Sequence, residues 1–193
     1  IAAKYGAMFI LLPLDDKGIP DEISERQKII KNLLKKAKKY GFKKEDIVID
    51  GLVMTVSSKQ DAPLKTLKII KWAKQNGYNS IIGLSNVSYG LPQRHIINST
   101  FLNMAKKLGL SMVIANPSAD FKIINKDALA VLTGKDKNCS NWIRKYSQQI
   151  DDKKLNTKIE KSKTIYDAVV NGEKDIIIYL VKKEIKNGRQ PEE

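Results

Sequence analysis

Cysteine and histidine are nearly missing from this chain, with Cys139 and His95 each standing alone among 193 residues. A single cysteine rules out an intramolecular disulfide, and a reducing cytoplasm is the natural compartment for such a sequence. Zinc sites built from several Cys or His ligands are excluded with it, and no metal is expected. Long hydrophobic runs are also lacking: none approaches the roughly 20 residues that cross a bilayer. The opening "IAAKYGAMFILLPLDD" has an apolar stretch but no basic start, so it reads as a strand rather than a signal peptide. An initiator Met is lacking too, and the chain is expected to be a piece of something longer. No stretch interleaves aromatic with basic residues, which argues against a surface for single-stranded nucleic acid.

What is abundant is lysine. The formal net charge is +14, enough to attract an anionic partner. In "IIKNLLKKAKKYGFKK", however, the lysines alternate with apolar residues at helical spacing, and they read as the wet face of a surface helix. Hydrophobic residues make up 42% and charged residues 29%, which suits a globular chain with one sizeable core and at most a small appendage.

Four short apolar runs recur, at residues 6–14, 46–54, 79–87 and 110–118, each bounded by turn residues and read as a buried strand. Between them lie helical patterns: Ile30, Leu33, Leu34 and Ala37; Leu64, Leu67, Ile70 and Ala73; Ile97, Phe101, Ala105 and Leu108. Gly41, Gly77 and Gly109 follow these patterns, where a left-handed residue ends many helices. Strand, helix and glycine repeating about every 35 residues predicts parallel βα units, in either a barrel or an open doubly wound sheet. Four strands are half of what a (β/α)8 barrel needs. After Gly134 the sequence turns polar, and residues 135–163 read as a charged, partly helical linker with sparse apolar anchors. Residues 164–193 predict a helical hairpin about Asn171-Gly172, with Thr164 as N-cap. Its apolar faces are Ile165, Ala168 and Val169 on one helix and Ile177, Leu180, Val181 and Ile185 on the other.

Parallel α/β folds hold ligands at the carboxyl ends of their strands. That rule selects Asp50 after "IVI", Gly83, Ser85 and Asn86 after "II", Arg94 at the start of the next helix, and Asn116 after "MVIA". Taken singly, Asp50 and Asn86 also suit loop caps and Arg94 a surface position. An arginine at a helix N-terminus opposes the dipole, which implies a partner for it.

The segment "GLSNVSYGLPQRHIINSTFLNMA" resembles the "G-x-SN-x-S…R…IN…F" stretch of the pterin-binding methyltransferase domains. These are the barrels that bind methyltetrahydrofolate in cobalamin-dependent methionine synthase and in acetogenic methyltransferases. "DIVIDGLVMTVSS" and "GAMFILLPLDDKGIPDEISERQKII" resemble the preceding family strands, so the likeness covers roughly residues 1–134. The resemblance implies an α/β fold in which parallel βα units form strands five to eight of the barrel. The first four strands, with a further Asp and Asn for the pterin, would come from an upstream half or a second copy of the chain. The tail resembles the first helices of a cap before a cobalamin domain, which favours a methionine synthase-like parent.

The resemblance also assigns roles. Asn86 would donate a hydrogen bond to N5 of methyltetrahydrofolate as its methyl leaves for cob(I)alamin, a bond that helps most when it strengthens in the transition state. Asp50 would accept from the N3–H and 2-amino edge of the pterin. Gly83 and Ser85 would let the loop backbone approach the ring, and Arg94 would hold the loop or an anionic part of the substrate. The cobalamin would sit on a separate domain or corrinoid protein, so neither Cys139 nor His95 is needed as a nucleophile or base. Alternatives are a corrinoid-protein methyltransferase of one-carbon metabolism, a catalytically silent half-barrel assembly module, and dihydropteroate synthesis. The last would need a pyrophosphate pocket for which no Lys/Arg-rich strand-end loop is evident.

Overall fold

The computed structural model describes residues 1–147, 164–170 and 174–188. They fall into two compact units, Ile1–Ile143 and Arg144–Glu193.

The first unit carries β1 (Phe9–Leu11), α1 (Ile23–Lys39), β2 (Ile47–Asp50), α2 (Ala62–Gln75), β3 (Asn79–Gly83), α3 (Arg94–Lys107), β4 (Met112–Ile114) and α4 (Lys126–Leu132). A further helix, α5 (Ser140–Ser147), begins in it. The strands form one parallel sheet in the order β1-β2-β3-β4. A doubly wound sheet reverses its strand order at a switch point, whereas a barrel adds each strand beside the last. The observed order shows no reversal among the described strands and agrees with part of a barrel.

Alternation along each strand separates two faces. Leu11, Ile47 and Ile49 pack with Ile30 and Ala37 of α1 and with Ile69 and Ala73 of α2. A side chain at Gly51 would stand 3.0 Å from Ile82 and from Thr66 of α2, so this position also looks toward the helices. The opposite, inner face carries Ile10, Val48, Asp50, Ile81, Gly83, Met112 and Ile114, matched in register by the pairs Ile10–Val48, Asp50–Ile81, Ile81–Met112 and Gly83–Ile114. Burial along the strands is uneven. β2 is buried at Ile47, Val48 and Ile49, but all three residues of β4 are exposed, as are Ile10 within β1 and Leu12 just past it. The expectation of four buried strands is corrected for these two: each lies at a sheet margin, and nothing in this unit covers their inner face.

The helix ends follow the sequence signals. Gly41, Gly77 and Gly109 take left-handed φ of 84°, 75° and 92° just past α1, α2 and α3. Basic residues crowd the last turn of α1 at Lys36, Lys38 and Lys39, where they complement the helix dipole. Cys139 and Trp142, apolar anchors in the polar stretch after Gly134, are buried.

In the second unit α6 (Ile165–Val170) and α7 (Lys174–Lys186) pack through Ala168 and Leu180, flanked by Ile165 and Ile177. Thr164 caps α6 as expected, accepting from the Asp167 amide at 3.0 Å while the Asp167 carboxylate accepts from the Thr164 amide at 3.2 Å. Val169, Val181 and Ile185, also assigned to the apolar faces, are exposed. A six-residue helix meets its neighbour along little more than one turn, too short a seam to reach them. The turn at Asn171-Gly172 and residues 148–163 of the linker lie outside the described residues. No described helix is long and apolar enough to cross a membrane.

Candidate functional site

Asp50 is the last residue of β2, and alternation points its side chain to the inner face. The chain then turns tightly. Gly51 passes where a Cβ would crowd Ile82 and Thr66, and its amide donates to the Ile81 carbonyl at 2.9 Å. Leu52 takes a left-handed φ of 49°, a conformation that costs an ordinary residue about 1 kcal/mol or more. Two bonds hold it there: the Leu52 amide donates to Asp50 Oδ1 at 2.8 Å, and Thr66, fully buried, donates its hydroxyl to the Leu52 carbonyl at 3.1 Å. The Leu52 amide is the single described partner of the Asp50 carboxylate, which keeps most of its acceptor capacity. Burial pushes the Asp50 carboxyl above the usual carboxylate range, with the Leu52 bond opposing that rise.

Beyond β3 the chain makes a short 3-10 turn, Leu84–Asn86. The Asn86 amide nitrogen lies 3.4 Å from the point where a Gly83 side chain would begin. That is ordinary contact distance, and it places the amide beside the inner face of Gly83, at the same end of the sheet as Asp50. Arg94, the first residue of α3, donates from Nη2 to the Ser85 carbonyl at 2.6 Å and from Nε to the hydroxyl of buried Ser88 at 3.1 Å. Its guanidinium also stands 5.8 Å from the centre of the Tyr89 ring. The partner implied by its place at a helix N-terminus is therefore the loop itself, and the bond to Ser85 falls on the residue before Asn86.

The two loops are joined. The Val56 amide donates to the Val87 carbonyl at 3.0 Å, and the hydroxyls of Thr55 and Ser57 donate to the Tyr89 carbonyl at 2.8 and 3.0 Å. On the other side of the loop, Ser85 and Arg94 line a cavity of about 250 Å³ with His95, Asn98 and Asn116. Asn116 makes its own turn there, its side-chain oxygen accepting from the Ser118 amide at 3.0 Å. The structure thus brings Asp50, Gly83 and Asn86 to one inner rim and Ser85, Arg94 and Asn116 to an adjoining cavity, which Asp50 does not line.

Ser88, Tyr89, Leu52 and Thr66 were not singled out in the sequence. Ser88 stands inside the "SNVS" wording and was legible there. A leucine in left-handed conformation carries no sequence signal.

Residues 1–116, more than half the chain, match the pterin binding enzymes, and the chain belongs to that family. A methylcorrinoid:tetrahydrofolate methyltransferase from Eubacterium limosum is 26% identical over 141 residues, covering 72% of this chain and 52% of that protein. The chain thus spans about half the length of the curated relative it matches.

Proposed function

We propose that this chain forms part of a methyltransferase that binds a reduced folate, with the methyl group passing between N5 of the pterin and the cobalt of a corrinoid carried by a partner. One observation carries this reading above the others: a half-buried carboxylate with a single described bond and an amide over a bare glycine share one face and one end of the sheet. Asp50 accepts from the N3–H and 2-amino edge, because two neighbouring donors suit the paired oxygens of an ionised carboxylate. Asn86 donates to N5. A tertiary amine is a poor leaving group, and a donor whose bond strengthens as charge gathers on N5 lowers that barrier without acting as a base. By microscopic reversibility the same donor serves transfer in either direction, onto the corrinoid or onto tetrahydrofolate.

The remaining roles follow the geometry. Gly83 and Ser85 let the loop backbone approach the ring, Ser85 also offers its carbonyl to Arg94, and Arg94 holds the loop in shape. Asn116 and its cavity meet the part of the substrate that extends beyond the pterin. The four strands correspond to strands five to eight of a (β/α)8 barrel, closed by an upstream half or a second copy. Within this reading residues 135–163 link the half barrel to a helical hairpin that begins the cap of a cobalamin domain. The capped pair of helices at 164–188 favours a methionine synthase-like parent on that account, whereas the named relative favours a separate corrinoid protein; the methyl acceptor decides between them.

Steady-state kinetics on the complete parent with methyltetrahydrofolate test the assignment. Asp50→Ala raises the folate Kd at least about tenfold, the value of one charge-assisted pair. Asn86→Ala lowers the transfer rate about 10²-fold, as loss of one transition-state donor does, with a smaller effect on Kd. Equal loss of both parameters in the two variants removes the separate roles. A folate-blind parent identifies a silent assembly module instead.

A further inference from the structure

Past residue 116, where the family match ends, the chain returns to the site loops. Asp136 is 4% exposed and caps α5: its two carboxylate oxygens accept from the Asn141 amide at 3.0 Å and the Trp142 amide at 2.8 Å. Asn138 and Cys139, between the cap and its helix, both take left-handed φ, 54° and 55°. The chain is thus drawn into a tight turn that places Trp142. That indole is 1% exposed and donates from Nε1 to the Pro92 carbonyl at 3.0 Å. Pro92 belongs to the loop between β3 and α3, two residues before Arg94. The backbone carbonyl of Asp136 accepts from the Gln60 side-chain amide, in the loop between β2 and α2. One short segment therefore bonds to both loops that carry the site.

Of the bonds that join those loops directly, the one from Val56 to Val87 links two buried residues, whereas those from Thr55 and Ser57 to Tyr89 lie in the open, where water competes for each donor and acceptor. A buried tryptophan removes of order 150–250 Å² from water and keeps its N–H bond dry. The tryptophan thus adds a second dry anchor to the loop pair, beside the Val56–Val87 bond.

We propose that Asp136 and Trp142 are positioning residues for the folate site, and that the segment from 136 to 142 clasps the two loops so that the Asp50 turn and Asn86 keep their mutual geometry. The folate part of this statement rests on the function proposed above.

Amide hydrogen exchange on the full chain, with Trp142→Phe, tests the clasp. Phenylalanine keeps an aromatic ring in place and removes the N–H. The Val56 and Leu91 amides, bonded to the Val87 and Ser88 carbonyls, are expected to exchange about tenfold faster while the β2–β3 ladder keeps its protection. Unchanged loop exchange overturns the clasp. So does equal acceleration in the ladder, which marks a merely structural residue. Should Trp142→Phe fail to fold, Gln60→Met decides in its place, since it removes only the donor to Asp136: faster Val56 exchange supports the clasp and unchanged exchange overturns it. Titration with tetrahydrofolate separates the two claims. If Asp50→Ala abolishes binding, Trp142→Phe is expected to weaken it about five- to tenfold, and unaltered affinity overturns the positioning role. If Asp50→Ala leaves affinity intact, the folate reading fails while the exchange result still judges the clasp.

Discussion

The two central strands and the two marginal ones are made of the same kinds of residue, yet they live in different surroundings. Ile82 in β3 is fully buried, whereas its ladder partner Val113 in β4 is 37% exposed and the next residue, Ile114, is 62% exposed. Apolar composition therefore does not predict burial in this sheet; neighbours do. Asp50 and Asn86, proposed to hold the pterin, follow the ends of the central pair, where the backbone is paired on both sides and the two loops are tied together. A site that must hold two polar groups in fixed relation is best placed there, and the open margins are where further strands would add.

The sharpest way to break this comparison is to truncate one residue from each class. Ile82→Ala is expected to cost about 2–5 kcal/mol, as deletion from a packed core does. Ile114→Ala should stay within about 0.5 kcal/mol, as exposed substitutions do. Urea unfolding of both variants measures the difference, and a comparable cost at Ile114 would mean that its face is covered in solution.

A second, smaller effect concerns pH. The Asp50 carboxyl is raised above its ordinary value by burial, so the folded state holds its proton more tightly than the unfolded chain does. Its contribution to stability is fully present below about pH 3.9, the unfolded carboxylate value, and is lost as pH rises through the raised folded value. Thermal melts across that range should fall in the native chain and flatten in Asp50→Asn. Folate affinity is expected to move the other way, rising as the carboxylate ionises.

The smallest effect belongs to the surface. Asp21 bonds Lys59 at 2.7 Å and Lys65 at 2.8 Å, and its pKa is lowered to about 2, chiefly by those bonds. Stability gained from it is present above the ordinary carboxylate value and lost as pH falls toward about 2. The pair is exposed, and salt screens it. An NMR titration of the Asp21 carboxyl in about 1 M salt, where the Debye length falls to ~3 Å, should move its midpoint back toward the ordinary value; a midpoint indifferent to salt would show a bond shielded from solvent.

Much of the fold is written in local pattern. The apolar runs, the glycines at 41, 77 and 109 and the start of α3 at Arg94 depend on short-range signals, and the structure places them where those signals point. The shared rim of Asp50, Gly83 and Asn86 was legible for the same reason, since strand ends lie on one side of any parallel sheet. What was not legible depends on partners distant in sequence. Arg94 turns to Ser85 and Ser88 because the loop folds back over it. β4 is exposed because no described strand follows it in the sheet. Trp142 is buried where its segment meets distant loops: Pro92, 50 residues before it, accepts from its indole, and Gln60, 76 residues before Asp136, donates to that residue's carbonyl. In the hairpin, helical periodicity marked Val169 and Val181 as apolar-face positions, but the short seam through Ala168 and Leu180 leaves both exposed.

The left-handed Leu52 limits how this protein can change. Valine, isoleucine and threonine are barred from that position by branching next to the backbone, and any of them would unwind the bend and swing the neighbouring acid out of place. Glycine or asparagine enters without steric penalty, at the risk of loosening the same bend. Mutational drift there is confined to a narrow corridor, set by one torsion angle rather than by any contact with substrate.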